Sequence, residues 1–527
     1  MDIVEERVED VKRLDEIVRK ASEEGFNFLL DALDLDNRLP IAKRILPETD
    51  DTPPPERLRE LLEELGPSFI KFGQILAERP DLIPEEYAAE LKELEESVES
   101  FSPEKAREIL EKELGPVEEN FSEFQEDPIG SASIAQVHRA ELKNGKEVAV
   151  KIRRPGIKQE VERDLDILQF FADRADEQFQ GLNDFNVSRN VREFARWTRE
   201  ELDLKKEARN ARIFRENMKD DEDIRIPYVY SEMSTEKVMV MEYVEGVECD
   251  DEEGLREMDV EGDRIADTMA RSSIKQIIRD GFFHADPHPS NFLIDGEGRL
   301  IYLDFGMMGK LTPEQRKRIG LLIVHAANED VESVTGLLEE IGSLEDEADR
   351  GLIKEKVEEK ILVLRDATLE EESFTQNIFE LLVFASRHGL RIPSSYILML
   401  KTMVTMEGVA MDLHPGLQMK DTYAREIKKV LYEQHSPEKM ADRFAIDLLE
   451  NEDLVTELPS KLDELTEKKK TEVRVVNENS RSMNQTVTAA LLISSGILMA
   501  PVVPDRYLFL LGALEIAAAL MVFWFYR

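Results

Sequence analysis

Cysteine is almost absent from this 527-residue chain, and basic residues are strongly outnumbered by acidic ones. A single cysteine, Cys249, excludes a disulfide framework and any zinc site built on cysteines, and it suits a reducing compartment. The 69 lysines and arginines stand against 113 aspartates and glutamates, which leaves a formal net charge of −44 at pH 7. Because so negative a field repels phosphate backbones at long range, the composition argues against a nucleic-acid-binding protein.

The acidic residues are spread along the whole chain rather than collected in one tail. Two interpretations stay open. One is a well-solvated surface that stays soluble through self-repulsion. The other is adaptation to a high-salt cytoplasm, in which salt screens the repulsion over a few ångströms. Unfolding in low and in molar KCl separates the two, because unchanged stability contradicts salt adaptation.

Long apolar runs are also missing from the chain, with one exception near its C-terminal end. Thr486–Val503 and Tyr507–Tyr526 are almost wholly apolar and are joined by a turn at Pro504-Asp505-Arg506. Each run approaches the ~20 residues that cross a bilayer. They predict a two-helix transmembrane hairpin, with a buried core hairpin as the alternative. The basic flank at Lys468–Lys470 places the body and the C-terminus in the cytoplasm, and the acidic N-terminus shows no signal peptide.

Glu515 lies near the middle of the second apolar run, where a carboxylate is costly and is often functional. Two roles remain open for it. One is structural, with the carboxyl group protonated or paired to a neighbouring helix. The other is a contact with a polar lipid headgroup or a quinone.

Changes of pattern divide the chain into six segments. They are an N-terminal helical extension (1–56), a second helical region (57–120), a β-rich lobe (121–245), a helical lobe (246–435), a charged linker (436–485) and the apolar hairpin (486–527). A small β-rich lobe followed by a larger helical lobe is the outline of a two-lobed phosphotransferase. The predicted fold class is therefore α+β, with helical additions at both ends.

Two hairpins anchor this interpretation. Val137–Ile152 predicts two strands around Asn144-Gly145, which is the strongest short-range hairpin signal. A second hairpin is predicted for Phe292–Ile294 and Leu300–Leu303. Between them, helical patterns cover 157–180 and 187–218, and strand patterns cover 224–230 and 237–244.

Four short motifs occur in the order that an ATP site requires. Lys151 ends the strand segment Val148–Lys151, where a lysine can reach nucleotide phosphates, although most strand lysines are simply solvated. The loop that precedes the first strand begins at Gly130 and is made of small residues, which let backbone N–H groups approach phosphate oxygens. Taken alone, that loop is an ordinary turn. Its candidate phosphate contacts are Ser131, Ala132 and Ser133.

The other two motifs carry acidic groups. His284–Asn291 has the H-x-D-x-x-x-x-N spacing of a kinase catalytic loop. In such a loop the carboxylate, Asp286, orients the nucleophile, and the amide oxygen of Asn291 reaches a metal. Asp304-Phe305-Gly306 follows after one predicted hairpin, and its carboxylate would bind Mg²⁺. A lone Asp-Phe-Gly says little, but this order and spacing are specific. His284 is expected to brace the loop rather than transfer protons.

Two further elements would complete a nucleotide site. An acidic partner for Lys151 is expected on a helix ahead of the hinge strand, and Glu207 is the favoured candidate, although a solvated acidic helix face explains any single acid there. The hinge Met241–Val244 could hydrogen-bond an adenine edge through its backbone. Glu242 and Val244 are therefore candidate nucleotide contacts.

With these residues the sequence resembles the UbiB/ABC1/ADCK family of atypical, protein-kinase-like proteins. Lys71-Phe72-Gly73-Gln74 is similar to the family's KxGQ motif, Ser131-Ala132-Ser133 to its Ala-rich loop, and Glu201-Leu202-Asp203 to its ExD motif. The resemblance covers residues 57–430, and the apolar hairpin resembles that of bacterial members. The acid surplus would suit an archaeal, salt-adapted member. The family's nucleotide and metal positions align with Lys151, Glu207, Asp286, Asn291 and Asp304.

The resemblance implies binding of ATP or ADP with Mg²⁺, and either ATP hydrolysis or phosphorylation of something small. In the family, the KxGQ helices lie over the site where a protein substrate would dock, and the ExD residues meet them there. Lys71 and Gln74 would then close the site and take part in hydrolysis. No Ala-Pro-Glu follows Asp304-Phe305-Gly306, which counts against a conventional protein kinase.

Two features depart from the family pattern. The phosphate loop opens with Gly130-Ser131 where many relatives carry alanines, so the preference between ATP and ADP stays open. Glu201 and Asp203 are two positions apart and cannot share a face of an ideal helix. Either the helix is irregular, or the two acids have different roles.

The biological process in which the protein would act is inferred from the resemblance alone. It implies a membrane-anchored kinase or ATPase that supports isoprenoid quinone or prenyl-lipid biosynthesis. Its expected partners are a nucleotide, a membrane lipid or prenyl-lipid intermediate, and a complex of biosynthetic enzymes. The alternative is a non-catalytic scaffold, in which nucleotide binding switches how lipid intermediates are presented to those enzymes.

Overall fold

The computed structural model describes residues 2–26, 54–77, 83–94, 100–178, 187–258, 260–344, 349–366, 373–414 and 416–434. Contacts divide the chain into two units, Met1–Ile427 and Lys428–Arg527, and all described elements lie in the first except the end of the last helix. The predicted linker (436–485) and apolar hairpin (486–527), with Glu515, lie outside the described residues. Among those that are described, no helix is both long and apolar enough to cross a membrane.

Four N-terminal helices form one layer with two helices that come later in the chain. Their apolar faces share a core that includes Leu62, Phe69, Leu91, Leu165 and Phe194. Pro67 begins the third helix, as predicted, because the N–H that proline lacks has no partner in a first turn. The six helices are α1 (Asp2–Glu23), α2 (Pro55–Leu65), α3 (Pro67–Ala77), α4 (Glu85–Leu91), α7 (Ile157–Gln178) and α8 (Val187–Glu201).

A five-stranded antiparallel sheet forms the β-rich lobe. The predicted hairpin at Asn144-Gly145 is confirmed, since β3 and β4 pair antiparallel on either side of it. Gly145 has a φ of +80°, a conformation that glycine adopts without strain. The path of the sheet runs β1 (Phe121–Phe124), β3 (Ala135–Leu142), β4 (Glu147–Arg153) and β6 (Val238–Glu242), and β2 (Gly130–Ser131) pairs with β3.

Side chains of β4 alternate between two environments, as the period of two in a strand requires. Val148, Val150 and Ile152 are buried in a second core with α5 (Pro103–Leu114) and α6 (Val117–Asn120). These two short helices therefore pack with the sheet, although the predicted segment boundary at 120/121 lies after them. The alternate positions of β4, which include Lys151, face the other way.

The periodic pattern over 187–218 predicts one helix, but the structure contains two. The carboxylate of Asp203 accepts hydrogen bonds from the backbone N–H groups of Lys205 and Lys206, at 3.1 and 3.4 Å, and caps the second helix. Leu202 and Leu204 are both buried, so the apolar pattern runs through the break and conceals it. The helices are α8 (Val187–Glu201) and α9 (Leu204–Met218).

The predicted strand over 224–230 is only partly correct. Ile224–Arg225 forms β5, which pairs in parallel with β10 (Leu300–Tyr302) of the second hairpin, while Val229 makes an isolated bridge to Met241 of β6. The segment therefore joins the two lobes instead of lying wholly in the first. The second hairpin itself is confirmed, and its sheet has the order β5, β10 (Leu300–Tyr302), β9 (Phe292–Ile294) and β7 (Val247–Glu248).

The second lobe is otherwise mostly helical. A π-helical turn, Lys275–Asp280, continues helix α11 (Gly262–Ile274). Two short strand pairs join β8 (Phe282–His284) to β11 (Met308–Lys310) and β12 (Ser343–Leu344) to β13 (Leu390–Arg391). The helices are α10 (Glu252–Glu257), α11 (Gly262–Ile274), α12 (Pro313–Ala327), α13 (Val331–Ile341), α14 (Arg350–Asp366), α15 (Phe374–Arg387), α16 (Ser394–Leu413) and α17 (Met419–Gln434).

Candidate active site

Three charged side chains meet where β4 faces α9. The Nζ atom of Lys151 lies 2.7 Å from Oε1 of Glu207 and 2.9 Å from Oδ2 of Asp304. Only 3 % of the Glu207 side chain is exposed, against 40 % for Asp304. The structure thus brings together the strand lysine, the predicted helix acid and the aspartate of Asp-Phe-Gly, with Asp304 on the side that is open to solvent.

Two carboxylates share one ammonium group in this trio, and burial disfavours the ionised form of all three. Against burial, Asp304 and Glu207 raise the pKa of Lys151, and Lys151 holds the pKa of Asp304 below its usual value. Glu207 is the least compensated member. Burial raises the pKa of Glu207 to about 7, which attraction to Lys151 opposes and repulsion from Asp304 supports. Glu207 is therefore the member of the trio that titrates near neutral pH.

This raised pKa makes the stability of the protein depend on pH. A glutamate in the unfolded chain titrates near ~4.3, so between that pH and about 7 the folded protein holds a proton that the unfolded chain has lost. The stabilisation is fully present at the acidic end and disappears as pH rises through about 7. We predict that the free energy of unfolding of the wild type, relative to Glu207→Gln, falls by roughly 1 kcal/mol between about pH 6 and 8. Urea unfolding of both proteins checks this, and a difference that stays constant with pH contradicts it.

Helix α9 also positions the Asp-Phe-Gly segment. Glu207 accepts a hydrogen bond from the backbone N–H of Phe305, and Nδ2 of Asn210 donates to the Phe305 carbonyl oxygen at 3.0 Å. The N–H of Gly306 donates to Oδ1 of Asp304 at 2.8 Å. No sequence motif marked Asn210, although its spacing of three from Glu207 places it on the same helix face.

The predicted catalytic loop folds around His284, whose side chain is buried. Its Nδ1 accepts the backbone N–H of Asp286 at 3.4 Å, so Nε2 carries the proton and donates to the carbonyl oxygen of Asp304. Burial lowers the pKa of His284, which keeps the ring neutral. His284 therefore links the backbones of Asp286 and Asp304, and this is a bracing position rather than one suited to proton transfer.

Asn291 lies beside both aspartates. Its Nδ2 donates to the carbonyl oxygen of Asp286 at 3.0 Å, which leaves Oδ1 as the accepting end of the amide. Its own carbonyl accepts the N–H of Leu303 at 3.0 Å, one residue before Asp304. The register of the β9–β10 hairpin thus places Asp286, Asn291 and Asp304 at the same end of that hairpin.

A buried network of hydrogen bonds connects the strand that precedes Asp304 with the backbone of His284. The Tyr302 hydroxyl lies 2.6 Å from Oγ of Ser272 and accepts a hydrogen bond from Nε2 of Gln276 at 2.9 Å. Oε1 of Gln276 accepts the backbone N–H of His284, also at 2.9 Å. Gln276 lies in the π-helical turn after α11, a local feature that the sequence pattern did not reveal. The network ties that turn to the strand that leads into Asp304.

The candidate phosphate loop forms a tight turn between β2 and β3. Ser131 pairs with Gln136, and the N–H of Ala132 donates to the carbonyl oxygen of Ala135 at 2.8 Å. Ser133, at the tip, is buried. The N–H of Ala132 is therefore already used within the loop and is not a free donor for a phosphate oxygen.

Arg154, which follows β4 directly, holds this loop through two hydrogen bonds. Its Nε donates to the carbonyl oxygen of Ala132 and its Nη2 to Oγ of Ser131, both at 3.0 Å. Its guanidinium also lies over the ring of Phe101, 5.6 Å from the centroid. No sequence motif marked Arg154, because its contacts depend on how the chain folds back around β3.

The KxGQ and ExD segments meet at Lys71 and Glu201, whose Nζ and Oε1 atoms are 3.4 Å apart. Glu201 lies over the Asp-Phe-Gly segment, since a Cβ at Gly306 would be 3.4 Å from Cγ of Glu201. Gln74 instead donates to the carbonyl oxygen of Leu94 at 3.0 Å. Asp203 caps α9, so the two ExD acids have different roles and the helix between them is broken.

In the hinge, the backbone N–H of Glu242 donates to the carbonyl oxygen of Tyr228 at 2.7 Å, so it is not a free donor for an adenine edge. The Glu242 side chain is also bound by other protein groups. Its carboxylate lies 2.6 Å from Nη2 of Arg225 and accepts the N–H of Tyr228 at 3.0 Å. The N–H of Tyr243 donates to the carbonyl oxygen of Glu147. In the part of the chain that the structure describes, the N–H of Val244 has no hydrogen-bond partner. Val244 is therefore the candidate backbone donor for an adenine edge.

Comparison with known proteins decides the family. The model of the ABC1 atypical kinase-like domain matches residues 93–338, and that of the UbiB helical domain matches residues 360–418. A probable protein kinase UbiB of Shewanella piezotolerans is 33 % identical over 410 residues, which are 77 % of this chain and 75 % of that protein. The chain belongs to the UbiB/ABC1 family. The family suggested by the sequence motifs is thereby confirmed.

Other UbiB/ABC1 relatives match the same part of the chain. A probable protein kinase UbiB of Marinobacter nauticus is 34 % identical over 372 residues, 70 % of this chain and 68 % of that protein. The chloroplastic protein Activity of BC1 complex kinase 7 of Arabidopsis thaliana is 35 % identical over 387 residues, 72 % of this chain. The chain spans only 55 % of the length of the Arabidopsis relative. A solved complex of a Mycobacterium tuberculosis protein with erythromycin aligns with a TM-score of 0.49 at 23 % identity, over 69 % of this chain and 92 % of that one.

The donor set of this UbiB/ABC1 chain fits magnesium. Among the described residues, no three or more His, Cys, Asp or Glu side chains cluster in a way that would hold a metal by themselves. Asp304 and Asn291 instead offer one carboxylate and one amide oxygen at the same edge. Mg²⁺ prefers oxygen ligands and is bound in phosphotransferases through one or two carboxylates, with waters and substrate phosphates completing the shell.

Proposed function

We propose that this UbiB/ABC1 protein binds ATP with Mg²⁺ and either hydrolyses it or transfers its phosphoryl group to a small acceptor. The observation that carries the proposal is the contact of Lys151 with both Glu207 and Asp304, beside the loop that bears Asp286 and Asn291. Lys151 would hold the phosphates, and Glu207 would orient Lys151. Asp286 would either accept the proton of the nucleophile or orient the nucleophile.

Asp304 and Asn291 would hold Mg²⁺, which neutralises negative charge on the transferring phosphoryl group when it is bound. Lys151 now donates to Asp304, so nucleotide binding requires Lys151 to exchange that contact for phosphate oxygens. The exchange frees the partly exposed carboxylate of Asp304 for the metal and leaves Glu207 to hold Lys151. Val244 would donate to the adenine, and the loop Ser131–Ser133 would cover the phosphates.

The region after Asp-Phe-Gly supports a small acceptor rather than a peptide. Beyond Gly306 the chain enters β11 almost at once, and α12 begins at Pro313. Residues 307–312 leave no room for an extended activation segment. Lys71, from α3, reaches Glu201 directly over Gly306, so the N-terminal layer adjoins the place where an acceptor would approach.

Membrane attachment and the biosynthetic process are part of the same proposal. The apolar runs within 486–527 would anchor the protein with its catalytic body on the cytoplasmic side. The resemblance to UbiB proteins supports a role in isoprenoid quinone or prenyl-lipid biosynthesis. Fractionation of cells that express the full chain, or a chain ending at residue 485, tests the anchor, because only the full chain should sediment with membranes.

Phosphate release from the purified full chain tests the catalytic proposal. ATP binding is measured by calorimetry and phosphate release by a coupled assay, each with and without Mg²⁺ and neutral-lipid vesicles. We expect Mg²⁺-dependent release. Binding without release would instead favour the nucleotide-switched scaffold, and absence of binding would contradict both functions.

A further inference from the structure

A cleft of about 900 Å³ lies on the outer face of α9. It is bounded by the C-terminal half of that helix and by the segment Ile224–Glu232, which joins the two lobes. Its volume falls within the range of about 300–1,000 Å³ that is typical of small-molecule sites. None of the residues proposed above to bind nucleotide or metal lines it, so the cleft is separate from the candidate active site.

One face of α9 presents cations to this cleft. Arg212, Arg215 and Lys219 follow each other at spacings of three and four, which places them in a row along the helix. Glu207 and Asn210 lie on the face that holds Lys151 and the Asp-Phe-Gly segment. Helix α9 therefore has a site-facing side and a cleft-facing side.

Arg212 and Arg215 reach across the cleft without an ion-pair contact to any described residue, although Arg215 is near enough to Glu242 to help lower the pKa of that carboxyl group. Nη1 of Arg212 donates to Oγ of Ser231 at 3.3 Å, and the guanidinium of Arg215 lies 5.4 Å from the ring centroid of Tyr228. Within the described ranges, neither arginine has a carboxylate oxygen within 4.0 Å. Tyr228 is 44 % exposed, so its ring is accessible beside the two guanidinium groups.

Two cations of the lining, Arg212 and Arg215, have no carboxylate in ion-pair contact among the described residues, although the chain as a whole is strongly acidic. Lys219 is paired with Glu216, and Arg225 is paired with Glu242 of the hinge strand and with Asp295. Because the net charge of −44 repels anions at long range, an anion is held at this surface only where local cations outweigh that field. Because Lys219 and Arg225 are paired, Arg212 and Arg215 are the lining cations that remain to hold an anion.

We propose that the cleft binds the phosphate monoester group of a small molecule, with Arg212 and Arg215 as its ligands. The planar guanidinium fork matches phosphate oxygens in pairs, which favours phosphate over a single-point anion. The exposed ring of Tyr228 offers a flat surface to the organic part of the ligand. The bound molecule would join α9, which carries Glu207, to the segment whose Arg225 and Tyr228 hold Glu242 of the hinge.

Calorimetric titration of the purified full chain with phenyl phosphate tests this site. We expect saturable binding that is weakened at least about tenfold in the double variant Arg212→Ala/Arg215→Ala, since each guanidinium contributes charge-assisted hydrogen bonds. Arg209→Ala is the matched control, because Arg209 is an exposed arginine of the same helix that does not line the cleft. Lys151→Met should also bind phenyl phosphate normally in the cleft, because Lys151 is proposed to contact phosphate only in the nucleotide site.

The opposite pattern would overturn the proposal. Binding that survives in the double variant but is lost in Lys151→Met would place the phosphate in the nucleotide site. Vesicles that contain phosphatidic acid present the same monoester as a lipid headgroup, and vesicles without it are the control. Arginine-dependent binding to the phosphatidic acid vesicles, but not to phenyl phosphate, would assign the ligand to a lipid. No arginine-dependent binding to either probe excludes the site. If the double variant melts at lower temperature, Arg212→Gln/Arg215→Gln replaces it.

Discussion

Replacing Lys151 with methionine is expected to reduce ATP turnover at least ~100-fold, the usual effect of removing one preorganised charge-stabilising group from an active site. Lys151 is the cation that contacts both Glu207 and Asp304, and its loss leaves two carboxylates facing the phosphates. Phosphate release by the purified variant, at pH 7.5 with saturating Mg²⁺, measures the effect.

Lys143→Met is the matched control for this substitution. Lys143 is an exposed lysine at the turn of the same hairpin, so its replacement removes the same charge far from the trio. Its turnover should equal that of the wild type. If Lys151→Met retained comparable activity while its thermal unfolding was normal, Lys151 would have no part in catalysis.

The largest effect on stability is expected at Arg13, in the N-terminal layer. Nε of Arg13 lies 2.9 Å from Oδ1 of Asp164, and its Nη2 donates to Oδ2 of Asp164 at 3.2 Å and to the carbonyl oxygen of Leu65 at 2.6 Å. The Asp164 side chain is only 1 % exposed. Arg13→Met would leave this carboxylate buried without its cation, which destabilises by about 3–5 kcal/mol. Urea unfolding measures the change.

Arg19→Met separates this buried pair from an ordinary surface pair. Arg19 lies on the same helix and pairs with Glu23, and the side chains of both residues are nearly half exposed. Such a pair contributes about 0–1 kcal/mol. Asp164→Asn combined with Arg13→Met should recover part of the lost stability, because no buried charge then remains unpaired. Equal effects of Arg13→Met and Arg19→Met would show that the α1–α7 pair does not hold the layer together.

The features that the sequence predicted well are local in the chain. The hairpin at Asn144-Gly145 and the second hairpin depend on turn residues and on the period of two, both of which are visible within about ten residues. The spacing of Asp286, Asn291 and Asp304 is likewise fixed by one hairpin. These residues could therefore be assigned to a common edge before any tertiary contact was known.

The features that the sequence concealed depend on tertiary contacts. The break between α8 and α9 lies inside an unbroken apolar pattern, because Leu202 and Leu204 are both buried on either side of Asp203. The pairing of β5 with β10 joins segments about 75 positions apart, which no local pattern reports. Arg154 acts on the phosphate loop only because β3 and β4 bring the two together.

The acid surplus gives these few cations particular weight. The average charge of the chain opposes any polyanion, and this includes ATP as well as nucleic acid. Arg212 with Arg215 in the outer cleft are local exceptions to that field, whereas Lys151 shares its charge with two carboxylates and would depend on Mg²⁺ to attract a nucleotide. Raising the salt concentration should therefore weaken repulsion of an approaching nucleotide more than it weakens the buried contacts of Lys151.

The catalytic role of the site is tested by phosphate release from Asp304→Asn, measured beside the wild type and the exposed control Asp166→Asn. Asparagine keeps the shape of the side chain but removes the charge proposed to hold Mg²⁺. We expect Asp304→Asn to lose at least ~100-fold in Mg²⁺-dependent turnover, while Asp166→Asn matches the wild type. Turnover in Asp304→Asn equal to that of the wild type would contradict the catalytic assignment.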